Sequence, residues 1–161
     1  MVVEKTRIPK NSEVFHKNGI AIKGYDVVAY FKENRSCKGK NQFQATWKGL
    51  KWKFENHHHL NLFLAKPEKY EPQFGGYCAF GASQGYKAGI KPTVFEIVEN
   101  KLFFNFAVYV QKRWKEDQRN KIDAAIAQWD VTKMTRQIKA HPIPIWWKYQ
   151  FLRLFGKDLF K

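Results

Sequence analysis

Cys78 stands in a stretch whose residue types invite chemistry: residues 73–86 read QFGGYCAFGASQGY, with Gly75 and Gly76 before the thiol and Gly81 and Gly85 after it. A phosphate loop needs G-x-x-x-x-G-K-[ST], because its backbone N–H groups cradle the phosphates while the lysine neutralises them. Residues 76–83, GYCAFGAS, keep the glycine spacing and the serine but carry Ala82 where the lysine must stand. No apolar strand precedes them either, so nucleotide binding is not expected. A thiol nucleophile needs a lowered pKa and a base. A glycine-rich turn opening a short helix supplies the first, and His16, His57, His58, His59 and His141 are the available bases. The same cysteine beside Ala79 and Phe80 also fits a small buried filler.

The triplet His57-His58-His59 raises metal chemistry. Consecutive helical residues point about 100° apart, so three in a row cannot converge on one ion. His59 lies one turn before Phe63, and His57 three residues before Leu60, so these two flank the apolar stripe while His58 points outward. The metal candidates are therefore His59, His57 and Cys78, set against a merely solvated helix start.

The elements that must position these groups follow from patterning. GIAIKGYDVVAYF (19–31) reads as two short strands around a turn. NQFQATW and LKWKF alternate apolar and polar residues around Lys48-Gly49 and predict a hairpin with Phe43, Ala45 and Trp47 on one face, as are Leu50, Trp52 and Phe54. Asn56 caps a helix over HHHLNLFLA that runs to Pro67, with Leu60, Phe63 and Leu64 as its stripe. TVFEIV and KLFFNF make a second hairpin around Glu99-Asn100. Asn105 is expected to cap a helix carrying Val110 and Trp114, and a further helix carries Ile122, Ala125, Ile126 and Trp129. The fold class is α+β: two hairpins with a short helix between them, followed by C-terminal helices. The expected organisation is a lead-in over 1–18, a domain over 19–130 and a basic aromatic helical tail over 131–161.

Charge is lopsided, with 29 Lys and Arg against 14 Asp and Glu, a net +15 over 161 residues. Such a field favours anionic partners. Residues 131–161 hold seven Lys or Arg against Asp158 alone, a net +6 that leaves +9 for the other 130 residues. In this tail Trp146, Trp147, Phe151, Leu154 and Phe155 alternate with Lys148, Arg153 and Lys157, the pattern of an interfacial anchor on an anionic membrane. The same aromatics also suit packing onto the domain, a protein partner or a second copy in a homo-oligomer. Nucleic acid is disfavoured, because no ribonucleoprotein motif, zinc-finger spacing or helix-turn-helix pattern accompanies the charge. With only Cys37 and Cys78, a disulfide-stapled scaffold is not indicated. The sequence shows neither a leader nor a membrane span, so the expected location is cytoplasmic or the cytoplasmic membrane face, or exported if a leader was removed.

GYDVVAYF (24–31), Trp52 and Phe54 ending the first hairpin, Phe63, Pro67, Lys69 and Tyr70, PQFGGYCA (72–79) and SQGY (83–86) occur in an order and spacing that resembles the YHS-domain family, in its stand-alone bacterial branch. The resemblance covers about residues 19–130. It implies a small α+β module related to TRASH metal-binding domains, thought to bind copper or other transition metals, with copper or zinc as the implied ion here. Metal-associated members resemble D-P-V-C near the start and F-C-S-x-x-C at the end of the hairpin. An ungapped match puts Ala29, Glu55 and His59 at those three cysteine positions. Losing the thiolates removes most affinity for soft ions, leaving His59, and with it Glu55, as the ligand-capable replacements. The expected function is a non-enzymatic YHS-domain protein that binds a transition metal or a protein partner. The alternatives are a thiol enzyme or redox protein using Cys78, and a peripheral membrane-surface protein.

Overall fold

A computed structural model describes residues 11–138. The tail positions Trp146, Trp147, Lys148, Phe151, Arg153, Phe155 and Lys157 lie outside the described residues, as does His141. The chain is α+β. In order it forms β1 (His16–Lys17), β2 (Ile20–Ala21), α1 (Val27–Glu33), β3 (Lys40–Trp47), β4 (Leu50–Phe54), α2 (His57–Ala65), α3 (Pro67–Tyr70), α4 (Ala79–Ser83), β5 (Phe95–Val98), β6 (Lys101–Phe104), α5 (Val108–Lys115) and α6 (Gln118–Thr132).

Both predicted hairpins are present. β3 pairs antiparallel with β4 in the register Trp47 to Leu50, and β5 with β6 in the register Val98 to Lys101. The first pair belongs to a four-stranded sheet ordered β1-β2-β4-β3, in which β2 runs parallel to β4. Alternation works as the pattern demands: Leu50, Trp52 and Phe54 are buried, and Phe43, Ala45 and Trp47 are half-buried on the other strand. Trp47, Trp52, Phe54 and Phe63 pack ring on ring, which holds α2 onto the sheet.

Three expectations are corrected. VVAYF is not a strand but the helix α1, because the Asp26 carboxylate accepts from the N–H groups of Val28 and Ala29 and satisfies the first turn. Val27, Val28, Ala29 and Tyr30 are all fully buried, and a helix enclosed on every side carries no 3.6-residue alternation to read. Leu64 is 57% exposed, so the buried face of α2 is His59 and Phe63, with Leu60 half-buried beside them. Asn105 does not cap α5, which starts from Ala107 without a side-chain bond; its amide turns inward instead.

The glycine-rich stretch is a crossing point. Phe74, Gly75 and Gly76 have φ of 53°, 61° and 79°, and a Cβ on Gly75 would lie 1.8 Å from the carbonyl oxygen of Glu13. Only glycine lets the segment before β1 cross so closely. Phe15 N–H donates to the Gly75 carbonyl at 2.8 Å, and Val14 and Phe15 are core residues, so packing begins within the expected lead-in. Among the described residues no helix is long and apolar enough to cross a membrane.

Candidate metal centre

The site is built on Asp26, which is completely buried. One of its oxygens caps α1; the other accepts from Glu55 N–H at 2.8 Å and from His59 Nδ1 at 2.7 Å. A carboxylate can only accept, so the proton of this last bond sits on Nδ1. His59, 4% exposed, is fixed from its main chain as well, since Asn56 Oδ1 accepts from its N–H at 2.8 Å while capping α2. Three elements therefore aim one imidazole.

With Nδ1 directed at Asp26, Nε2 of His59 faces away from Asp26 and lies 3.5 Å from Glu33 Oε1, at the end of α1. Glu55 follows β4 directly. One ligand atom from each of Glu33, Glu55 and His59 lies within 4.8 Å of the others. The two carboxylates and the imidazole thus converge on one place, a spacing that a shared cation can bridge. Arg35 Nη2 reaches Glu33 Oε2 at 2.5 Å and Glu55 Oε2 at 2.6 Å, so it holds the outer oxygen of each carboxylate. Desolvation pushes the Glu55 carboxyl up, but the hydrogen bonds from Arg35 and Cys37, with the Arg35 and His59 charges, outweigh it and hold the group below its ordinary range. Burial likewise pushes the Cys37 thiol up; a hydrogen bond from Arg35 opposes this, and one to Glu55 adds to it.

The donor set fits a divalent transition ion. A histidine whose second nitrogen donates to a buried carboxylate has its ring fixed and its lone pair made more basic, the usual outer partner of a metal-ligating imidazole. Three carboxyl groups, Asp26, Glu33 and Glu55, outnumber the single Arg35 at the site, an excess of acidic groups that suits a cation. Nitrogen with two oxygens is a harder set than thiolates and suits zinc better than Cu(I).

The other sequence-derived candidates sit elsewhere. His57 is exposed and stacks on Phe43 with ring centroids 6.4 Å apart, and His58 is exposed. Neither His57 nor Cys78 belongs to the cluster. Cys78 is fully buried, bridges Phe104 and directs Sγ to Asn105 Oδ1 at 3.6 Å. Burial pushes its thiol up to about 11, against the partial opposition of backbone N–H bonds from Gly81, Phe106 and Phe80. That direction is the reverse of what a thiolate nucleophile requires. Asp26, Glu33 and Arg35 escaped the sequence reading because their helix was read as a strand. The signal for Asp26 was present: an aspartate immediately before an apolar run is a helix-start pattern.

No family model matches the chain, and no curated protein or solved structure is detectably similar to it.

Proposed function

We propose that this chain is a YHS-type, non-enzymatic metal-binding protein that holds a divalent transition ion, zinc foremost, on Glu33, Glu55 and His59. The observation that carries this reading is the convergence of a buried His59 with the Glu33 and Glu55 carboxylates, behind an imidazole oriented by Asp26. A second line supports it independently. Glu55 and His59 occupy two of the three positions where the family resemblance places cysteines, and Glu33 lies one helical turn beyond Ala29, the third. An ion held there would add positive charge on the side of the carboxylates that Arg35 does not occupy.

Each residue has a separate task. Asp26 fixes the tautomer and orientation of His59. Arg35 holds the outer carboxylate oxygens and limits the negative charge, so Glu33 and Glu55 remain close together without the ion. Asn56 sets the helix start that places His59 over the end of β4.

Equilibrium dialysis of tag-free protein against zinc tests the reading. Stoichiometric uptake is expected in the parent chain, with loss of about tenfold or more in affinity for His59→Gln and for Glu33→Gln. Absence of zinc uptake in the folded parent would overturn the reading.

A further inference from the structure

Cys37 lies in the connection between α1 and β3, a residue the cluster of three ligands does not include. Its backbone is pinned against the base of the site. Asp26 N–H donates to the Cys37 carbonyl at 2.8 Å, Tyr25 bridges Lys38, and Gly39 N–H donates to the Gly24 carbonyl at 2.9 Å. A Cβ on Gly39 would lie 2.3 Å from the carbonyl carbon of Lys53 and 2.5 Å from the nitrogen of Phe54. The segment can therefore lie directly on the last residues of β4, next to Glu55, only with glycine there.

That placement decides what the thiol touches. Cys37 is half-buried, hydrogen-bonds the Glu55 carboxylate and receives a bond from Arg35. Its Sγ also contacts the Lys38 carbonyl at 3.5 Å, a long and weak bond that a small rotation would break. The thiol thus shares both of its charged neighbours with the ligands. Three protein ligands leave a tetrahedral ion one position short, and Cys37, in contact with Glu55 but outside the group of three, is a soft donor that a side-chain rotation off the Lys38 carbonyl could bring in.

We propose that Cys37 Sγ is the fourth ligand, completing a Glu33-Glu55-His59-Cys37 site selective for zinc-like ions over magnesium, calcium or manganese. The inference rests on the reading of Glu33, Glu55 and His59 as the metal centre. On coordination the Cys37 S–H bond breaks, its electron pair becomes the sulfur-to-metal bond, and the proton leaves to solvent. No oxidant or reductant is involved. Arg35 stays on the outer oxygens of Glu33 and Glu55 and offsets part of the added negative charge. A thiolate in the set makes the difference in selectivity, since hard cations gain little from sulfur.

Cobalt(II) serves as a spectroscopic probe of the full chain, with zinc competition for affinity. The parent protein is expected to show visible d–d absorption of tetrahedral intensity together with a near-ultraviolet sulfur-to-cobalt charge-transfer band. Cys37→Ser is expected to lose the charge-transfer band and bind zinc about tenfold or more weakly, while Cys78→Ala, checked for folding by circular dichroism, keeps the band. Cobalt bound in the parent without a sulfur band would overturn the role of Cys37 while leaving the three-residue site standing. A band that survives Cys37→Ser would do the same. No cobalt or zinc uptake by the folded parent would overturn both.

Discussion

Asp26 is the residue on which the site depends, because its two oxygens serve Val28, Ala29, Glu55 and His59 at once. Removing it orphans buried donors on two helices and a strand end, so Asp26→Ala should cost about 3 kcal/mol in urea unfolding, roughly the sum of a lost cap and an unpaired buried donor. Asp26→Asn keeps the shape but turns a donor towards one of these N–H groups, and is expected to fall between. Cys78 makes an opposite kind of prediction. Its thiol ionises near 9.0 when unfolded and is pushed up to about 11 by burial in the folded chain. A folded-state value raised in this way means the folded chain keeps its proton while the unfolded chain sheds it. The stability contribution is therefore whole below pH 9 and is lost as pH rises towards 11, by on the order of 3 kcal/mol at most. Urea midpoints measured from pH 8 to 10.5 should fall less steeply in Cys78→Ala than in the parent. A reagent that alkylates thiols at pH 8 should modify Cys37 in the native protein and Cys78 only after unfolding.

Elements were legible where alternation or a turn announced them. The Lys48-Gly49 and Glu99-Asn100 turns mark both hairpins, and Asn56 with its apolar run marks α2; the spacing sets His57 and His59 alike beside the apolar stripe, but only His59 is buried and His57 is exposed. α1 was not legible, because Val27, Val28 and Tyr30 are β-favouring residues, and the Asp26 cap with the burial of all four residues of the first turn overrides that preference. Misreading that one element hid Glu33 and Arg35, which lie at and beyond its C-terminal end, and so hid half of the site. Gly75 shows how far an element's course can rest on a single residue. Gly75→Ala would set a methyl against the Glu13 carbonyl at a left-handed φ, and a loss of about 2–4 kcal/mol is expected in the same urea assay. Had the stretch been a ligand loop, the same substitution would have altered binding more than folding.

Lys87, a fully buried lysine, ties the segment before β1 to the end of α6, its ammonium donating to the Ser12 carbonyl at 3.1 Å and the Lys133 carbonyl at 2.9 Å. Burial pushes this amine down, with Glu13 opposing, and its ring partner is Tyr77, 5.0 Å away. Lys87→Met should release both flanks and quicken tryptic cleavage after Lys133 and Arg136, with little change around β3 and β4. The proposed metal centre lies apart from that contact, where the end of α1, the end of β4 and the start of α2 meet. An ion held there would bind only the assembled form, so its affinity would become fold stability through mass action. At a free zinc concentration 100 times the dissociation constant the gain is about 2.7 kcal/mol, which in a domain of this size raises the melting temperature by on the order of 10 °C. Calorimetry with and without zinc should show that rise in the parent and in Lys87→Met, and lose it in Glu33→Gln. The rise should also shrink on acidification, since protons compete for the same imidazole and carboxylate lone pairs. An ion bound loosely to the exposed His57 and His58 would give a different result: its shift would persist in Glu33→Gln, because none of the three joined elements depends on those rings.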